Sequence, residues 1–232
     1  MTDRIPRGGL SRRGLLKGGA GAVGGFAATA AMGQGTAPPA APAGPSDPRD
    51  PLPFEVTLNG ERIQASAEPR TTLLDWLRET RELTGTKVGC NHGQCGACTI
   101  HIDGEPRLAC LTLAQQVERR EVTTIEGLAA VAAAGGYAED GLHPMQAAFV
   151  ANDALQCGYC TPGQIMSAVA VVNEGHASNA AEVREYMSGN LCRCAAYPNI
   201  TAAVLEARER MPEAAADGGG ARQELHLRTG EA

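Results

Sequence analysis

Eight cysteines carry the chemistry of this 232-residue chain, and they fall into two groups. The first is Cys90-Asn91-His92-Gly93-Gln94-Cys95-Gly96-Ala97-Cys98, with Cys110 after eleven more residues, a C-x4-C-x2-C-x11-C spacing. Three thiolates on one tight loop and a fourth from a neighbouring element can surround a diamond of two irons and two sulfides. This spacing is one used for [2Fe–2S] sites. Gly89, Gly93 and Gly96 let the backbone curl without Cβ clashes. Amide hydrogens then face sulfur and stabilise the reduced, more negative state. The second group is Cys157-Gly158-Tyr159-Cys160 and Cys192-Arg193-Cys194, with 31 residues between the pairs. Two pairs converging from two loops supply four sulfurs, a set that zinc would also accept.

Other chemistries are weaker fits. Eight cysteines admit about a hundred disulfide pairings, but a C-x-C pair closes a relaxed mutual disulfide with difficulty. A single-cluster electron carrier accounts for the first group and not the second. His92 reads as a loop residue, since four cysteines are already available. His143 reads as a helix start, Lys87 as an ordinary solvated lysine near Cys90, and Trp76 as core.

The elements that must position these residues have their own signals. Phe54–Leu58 alternates apolar and polar, Asn59-Gly60 is a hairpin turn, and Glu61–Ala65 returns. Thr72 caps a helix through Arg78, with Asp75 at the third position and Gly85 as its stop. Thr99–Ile102, Asp103-Gly104 and Pro106–Cys110 form a second hairpin, and Glu121–Ile125 a last strand. Beyond Pro144 the pattern turns helical. Helices are expected over Pro144–Asp153, from Thr161 as N-cap to Gly175, from Asn179 to about Gly189, and from Asn199 through Arg208. Four short helices make a bundle the natural architecture. Cys157 and Cys160 would precede a helix N-terminus, where the dipole favours thiolates.

Composition bounds the rest. Aromatics are only 3% of residues, so the cores are built from Leu, Val, Ile and Ala. Residues 1–35 hold five basic side chains and one acid, while the remainder holds 15 basic and 25 acidic residues, net −10. No basic patch rich in aromatics is present, which argues against nucleic acid as a partner. Ser11-Arg12-Arg13-Gly14-Leu15-Leu16-Lys17 precedes an uncharged Gly/Ala-rich run to about Ala31. This reads as a twin-arginine export signal, with small residues at Ala28–Ala31 suited to a signal peptidase. The expected organisation is a signal over 1–35, a Pro/Ala-rich linker over 36–53, a [2Fe–2S] domain over 54–128, a helical domain over 140–211 and a tail over 212–232.

Several stretches together resemble the small iron–sulfur subunit of the xanthine oxidase family of molybdenum hydroxylases. They are Cys90–Cys98, Leu142–Gln146, Gln156–Gly163 and Gly189–Cys194, in register from about Phe54 to Leu205. Among these the chain looks closest to the subunits of periplasmic aldehyde oxidoreductases. The resemblance implies an α+β chain, with a β-grasp, plant-type ferredoxin-like domain followed by a four-helix bundle. Cys90, Cys95, Cys98 and Cys110 would hold one [2Fe–2S] cluster, with Gly96 in its loop. Cys157, Cys160, Cys192 and Cys194 would hold the other. Gln156 and Cys194 would lie against the molybdopterin of a large partner subunit. Electrons would run from molybdenum through both clusters to FAD on another subunit, or to a cytochrome. The whole complex would oxidise aldehydes, or alternatively hydroxylate N-heterocycles, after folded export to the periplasm by the twin-arginine translocase.

Overall fold

Alternation over β1 (Leu52–Leu58) buries Phe54, Val56 and Leu58 on one face. The computed structural model describes residues 47–212. The twin-arginine stretch and nearly all of the C-terminal tail therefore lie outside the described residues, and β1 begins two residues inside the expected linker. β2 (Glu61–Ala67) returns antiparallel across a turn in which Asn59 and Gly60 both take positive φ, 52° and 85°. That is the backbone a tight two-residue hairpin demands. β3 (Thr99–Ile102) and β4 (Glu105–Leu108) form the second hairpin, and β5 (Glu121–Thr123) lies between the two hairpins. The sheet order is β2-β1-β5-β3-β4, with β5 parallel to β1 and antiparallel to β3.

Helix α1 (Leu73–Asp75) continues as a π-helical turn over Trp76–Thr80 and seals one face of the sheet with Leu73, Leu74, Trp76 and Leu77. Thr72 caps it as expected, accepting from the Asp75 amide at 3.1 Å. The stop is not Gly85. The chain leaves the helix at Arg81, and Glu82 takes φ 58°. Gly85 serves a close approach instead: a Cβ there would sit 2.4 Å from Ile125 Cγ2. Trp76 is core, 1% exposed and tilted against Phe54.

Among the described residues five helices follow the sheet, the four expected and one more. The additional one is α2 (Leu128–Gly135), closed by Gly136 at φ 75°. Its run of alanines gives little contrast between its faces, so periodicity hides it. α3 (Pro144–Ala151) starts at His143, whose Nδ1 accepts from the Met145 amide at 3.0 Å. α4 (Thr161–Asn173) has Cys160, not Thr161, in the N-cap position, with no side-chain cap, and the buried Thr161 hydroxyl has no partner. α5 (Ala180–Tyr186) is capped by Asn179 as expected and ends short of Gly189. α6 (Tyr197–Arg208) begins two residues before Asn199, which instead donates to the Asp153 carbonyl at 3.1 Å.

α3 and α5 pack on α6, while α4 packs against α3, α6 and strand β3. β3 is therefore buried on both faces. Ile100 and Ile102 enter the sheet core, and His101 Nε2 meets the Met166 carbonyl of α4 at 2.8 Å. α4 is correspondingly apolar nearly all round, as a helix enclosed on every side must be.

Candidate metal centres

The first cysteine loop folds back on itself. The Gln94 and His92 amides donate to Cys90 Sγ at 3.1 and 3.5 Å, and the Cys90 amide donates to Cys95 Sγ at 3.3 Å. These are the amide-to-sulfur contacts expected from the glycine content. Two of the three glycines act through their torsions, Gly93 at φ 82° and Gly96 at φ 69°. Gly89 acts through space, because a Cβ there would lie 2.6 Å from Cys95 Sγ. His92 contributes its amide to this loop. Lys87 donates its ammonium to the Thr84 carbonyl at 2.7 Å.

Cys98 follows at the start of β3, and Cys110 comes from the short 3-10 turn Ala109–Leu111 after β4. Their thiols are neighbours, as are those of Cys90 and Cys95. The environments oppose each other. The His92 amide, with those of Gln94 and Cys95, pulls the accessible Cys90 thiol down to about 6. Burial, and then the neighbouring Cys110, pushes Cys98 up to about 12.

The second group repeats this division. The Cys157 thiol pairs with Cys194, and Cys160 with Cys192. The Tyr159 amide and Cys194 lower the exposed Cys157. Burial beside Cys192 pushes Cys160 up to about 12, so the helix dipole expected to favour a thiolate there does not win for the bare thiol. Cys192 is 6% exposed, its amide donating to the Tyr197 hydroxyl at 2.9 Å. Ala195, at φ 60°, turns the chain after Cys194. Gln156 lies at the same place: its Nε2 donates to the Cys194 carbonyl at 3.2 Å.

Among the described residues no three Cys, His, Asp or Glu side chains close around one point as a single metal ion requires. The thiols present themselves in pairs, which is how four sulfurs divide between two irons. The donor set fits a [2Fe–2S] group on two further counts. Amide hydrogens already face sulfur, and Cys98 and Cys160 sit where a bare thiolate is costly without a cation beside it.

Some residues at the centres carried no signal of their role. Gln164, in the first turn of α4, donates its Nε2 across to the Asn190 carbonyl at 2.9 Å. Asn190 donates to the carbonyls of Gly96 and Gly163, and the Tyr159 hydroxyl donates to the Val88 carbonyl at 2.6 Å. The one sequence cue was a glutamine inside an otherwise apolar helix.

Fold and thiols together define an iron–sulfur protein with two binding domains. The family of 2Fe-2S iron-sulfur cluster binding domains matches residues 56–123, and the [2Fe-2S] binding domain family matches 124–205. The aldehyde oxidoreductase iron-sulfur-binding subunit PaoA of Escherichia coli K12 is 49% identical over 67% of this chain and 71% of its own. The nicotine 6-hydroxylase small subunit of Paenarthrobacter nicotinovorans is 44% identical over 66% of this chain and 87% of its own. The crystal structure of quinoline 2-oxidoreductase from Pseudomonas putida 86 superposes with a TM-score of 0.60 at 44% identity, over 69% of this chain and 97% of that one. The chain belongs to the iron–sulfur small subunits of the xanthine oxidase family of molybdenum hydroxylases, and its work is electron transfer within such an oxidoreductase.

Proposed function

We propose that Cys90, Cys95, Cys98 and Cys110 hold one [2Fe–2S] cluster and Cys157, Cys160, Cys192 and Cys194 a second. The chain would pass electrons singly from the molybdenum centre of a large partner subunit to an FAD subunit or a cytochrome. One observation carries this reading: the eight thiols gather as two quartets, each split two and two, one in each matched domain. When bound, each cluster supplies a one-electron carrier, so a two-electron oxidation elsewhere can be emptied in steps.

The chain's own residues supply the setting. Amides at Cys90 and Cys95 favour extra negative charge on sulfur. Cys98, Cys110 and Cys192 are shielded from water, while Cys157 is exposed. Gln156, hydrogen-bonded to the Cys194 backbone, stands at the exposed end of the second quartet, where a molybdopterin on a partner would approach. Helices α3 to α6 share one core, to which α2 adds Leu128, and this supports a four-helix bundle. The two hairpins flanking β5, crossed by α1, support a β-grasp arrangement.

The likeness to an aldehyde oxidoreductase subunit supports aldehydes as the substrates of the complex. A second reading, hydroxylation of an N-heterocycle, is favoured by the likeness to the nicotine and quinoline enzymes. Arg12 and Arg13 support twin-arginine export to the periplasm. The assembled protein is expected to hold about four irons and four acid-labile sulfides per chain and to show two [2Fe–2S] EPR signals when reduced. Half that iron, or one signal, refutes the two-cluster reading. Activity of the purified complex on aldehydes against N-heterocycles separates the two substrate readings. Replacing Arg12 and Arg13 by Lys should hold the complex in the cytoplasm, and unchanged export removes that part of the proposal.

A further inference from the structure

The loop bearing Cys95 and Cys98 and the loop bearing Cys192 meet at the first turn of α4. Their contact is made of polar groups closed off from solvent. Asn190 is 7% exposed, and its Nδ2 donates to the carbonyls of Gly96 and Gly163, each at 3.2 Å. Its own backbone carbonyl accepts from Gln164 Nε2 at 2.9 Å, and Gln164 is 1% exposed. The next amide, that of Leu191, donates to the Cys95 carbonyl at 3.0 Å. Space is equally tight. A Cβ on Gly163 would lie 2.3 Å from the Gly96 carbonyl oxygen, and one on Gly96 would lie 2.5 Å from Asn190 Nδ2.

Burying a primary amide is costly unless its hydrogens are used, and here they are used on two different backbone segments. What the amide does is tie three segments together, one beside Cys95 and Cys98 and two beside Cys160 and Cys192 of the other quartet. Gly96 lies between Cys95 and Cys98, and Asn190 stands two residues before Cys192. Gly163, three residues after Cys160, lets the helix backbone touch the first loop directly.

We propose that Asn190, held between Gly96 and Gly163, is a positioning residue that sets the gap between the two thiolate quartets, and with it the electron exchange across that gap. This rests on the two-cluster reading. In the exchange one electron leaves the Cys157-group site, which is oxidised, and enters the Cys90-group site, which is reduced. No bond is made or broken and no proton moves.

The test compares wild type, Asn190→Ala and Gly163→Ala as assembled complexes reduced with dithionite and read by low-temperature EPR. Two reduced clusters at a fixed separation split each other's signals. Both variants should keep wild-type iron content and two signals, but lose most of the mutual splitting. Redistribution of the first electron between the sites, followed by freeze-quench, should slow. Unchanged splitting with both clusters present overturns the positioning role. Loss of a cluster from both variants assigns Asn190 to folding alone and equally overturns it. If only one variant assembles, its splitting decides. A single signal in the wild type would instead refute the two-cluster reading.

Discussion

Acid should weaken this fold through one buried imidazole, and His143→Asn should remove much of the effect. His143 is 1% exposed, and its Nδ1 accepts the Met145 amide that opens α3. Nε2 therefore carries the proton of the neutral ring and has no partner. A second proton can enter only at Nδ1. It would break the cap and place a charge in a dry site beside His101, whose own basicity is lowered by burial. Burial, and then His101, depress His143 from 6.5 to about 4. The unfolded ring thus takes a proton before the folded one. The stability this residue contributes is complete above pH 6.5 and drains away as pH falls towards 4. Linkage puts the loss at about 2 kcal/mol by pH 5 and about 3 kcal/mol by pH 4. Asn can accept the same amide without titrating. Urea melts of wild type and His143→Asn at pH 8 and pH 5 supply the difference of differences. Carboxylates and cluster loss act on both proteins and cancel. The wild type should lose about 2 kcal/mol more than the variant over that interval. Equal losses would refute the argument from burial.

Gly89→Ala should cost the first cluster and spare the second, since its Cβ would meet Cys95 Sγ at 2.6 Å. Iron content should fall by about half, with one EPR signal left. Stripped of iron, the chain should react with iodoacetamide at pH 7 first at Cys90 and Cys157, whose thiols are lowered by amide donors, and last at Cys98 and Cys160, pushed up to about 12 by burial. Peptide mass spectrometry reads the order, and early labelling of Cys98 would contradict it. Cys194→Ser should alter the EPR signal of the second site alone; equal change in both signals would argue against separate quartets.

The chemistry of this protein was legible in one dimension because ligand spacing is a local property. C-x4-C-x2-C places three sulfurs within one loop's reach whatever surrounds it, and Asn59-Gly60 forces a hairpin from its own torsions. The caps at Thr72 and Asn179 are equally local, and both stand where the sequence puts them. Misreadings fell where a local signal competed with packing. Thr161 and Asn199 carry capping chemistry, yet α4 and α6 start earlier, at Cys160 and Ala196, with no side-chain cap at either. Gly85 looked like a helix stop and is a point of close approach. α2, built from alanines, had no contrast of faces to reveal it. Only the tertiary structure decided which thiol neighbours which, which thiols are dry, and how the two quartets face each other. Those depend on Asn190, itself held by Gln164, bridging Gly163 and Gly96 across as many as 94 residues of chain, a contact that no spacing within a loop can encode.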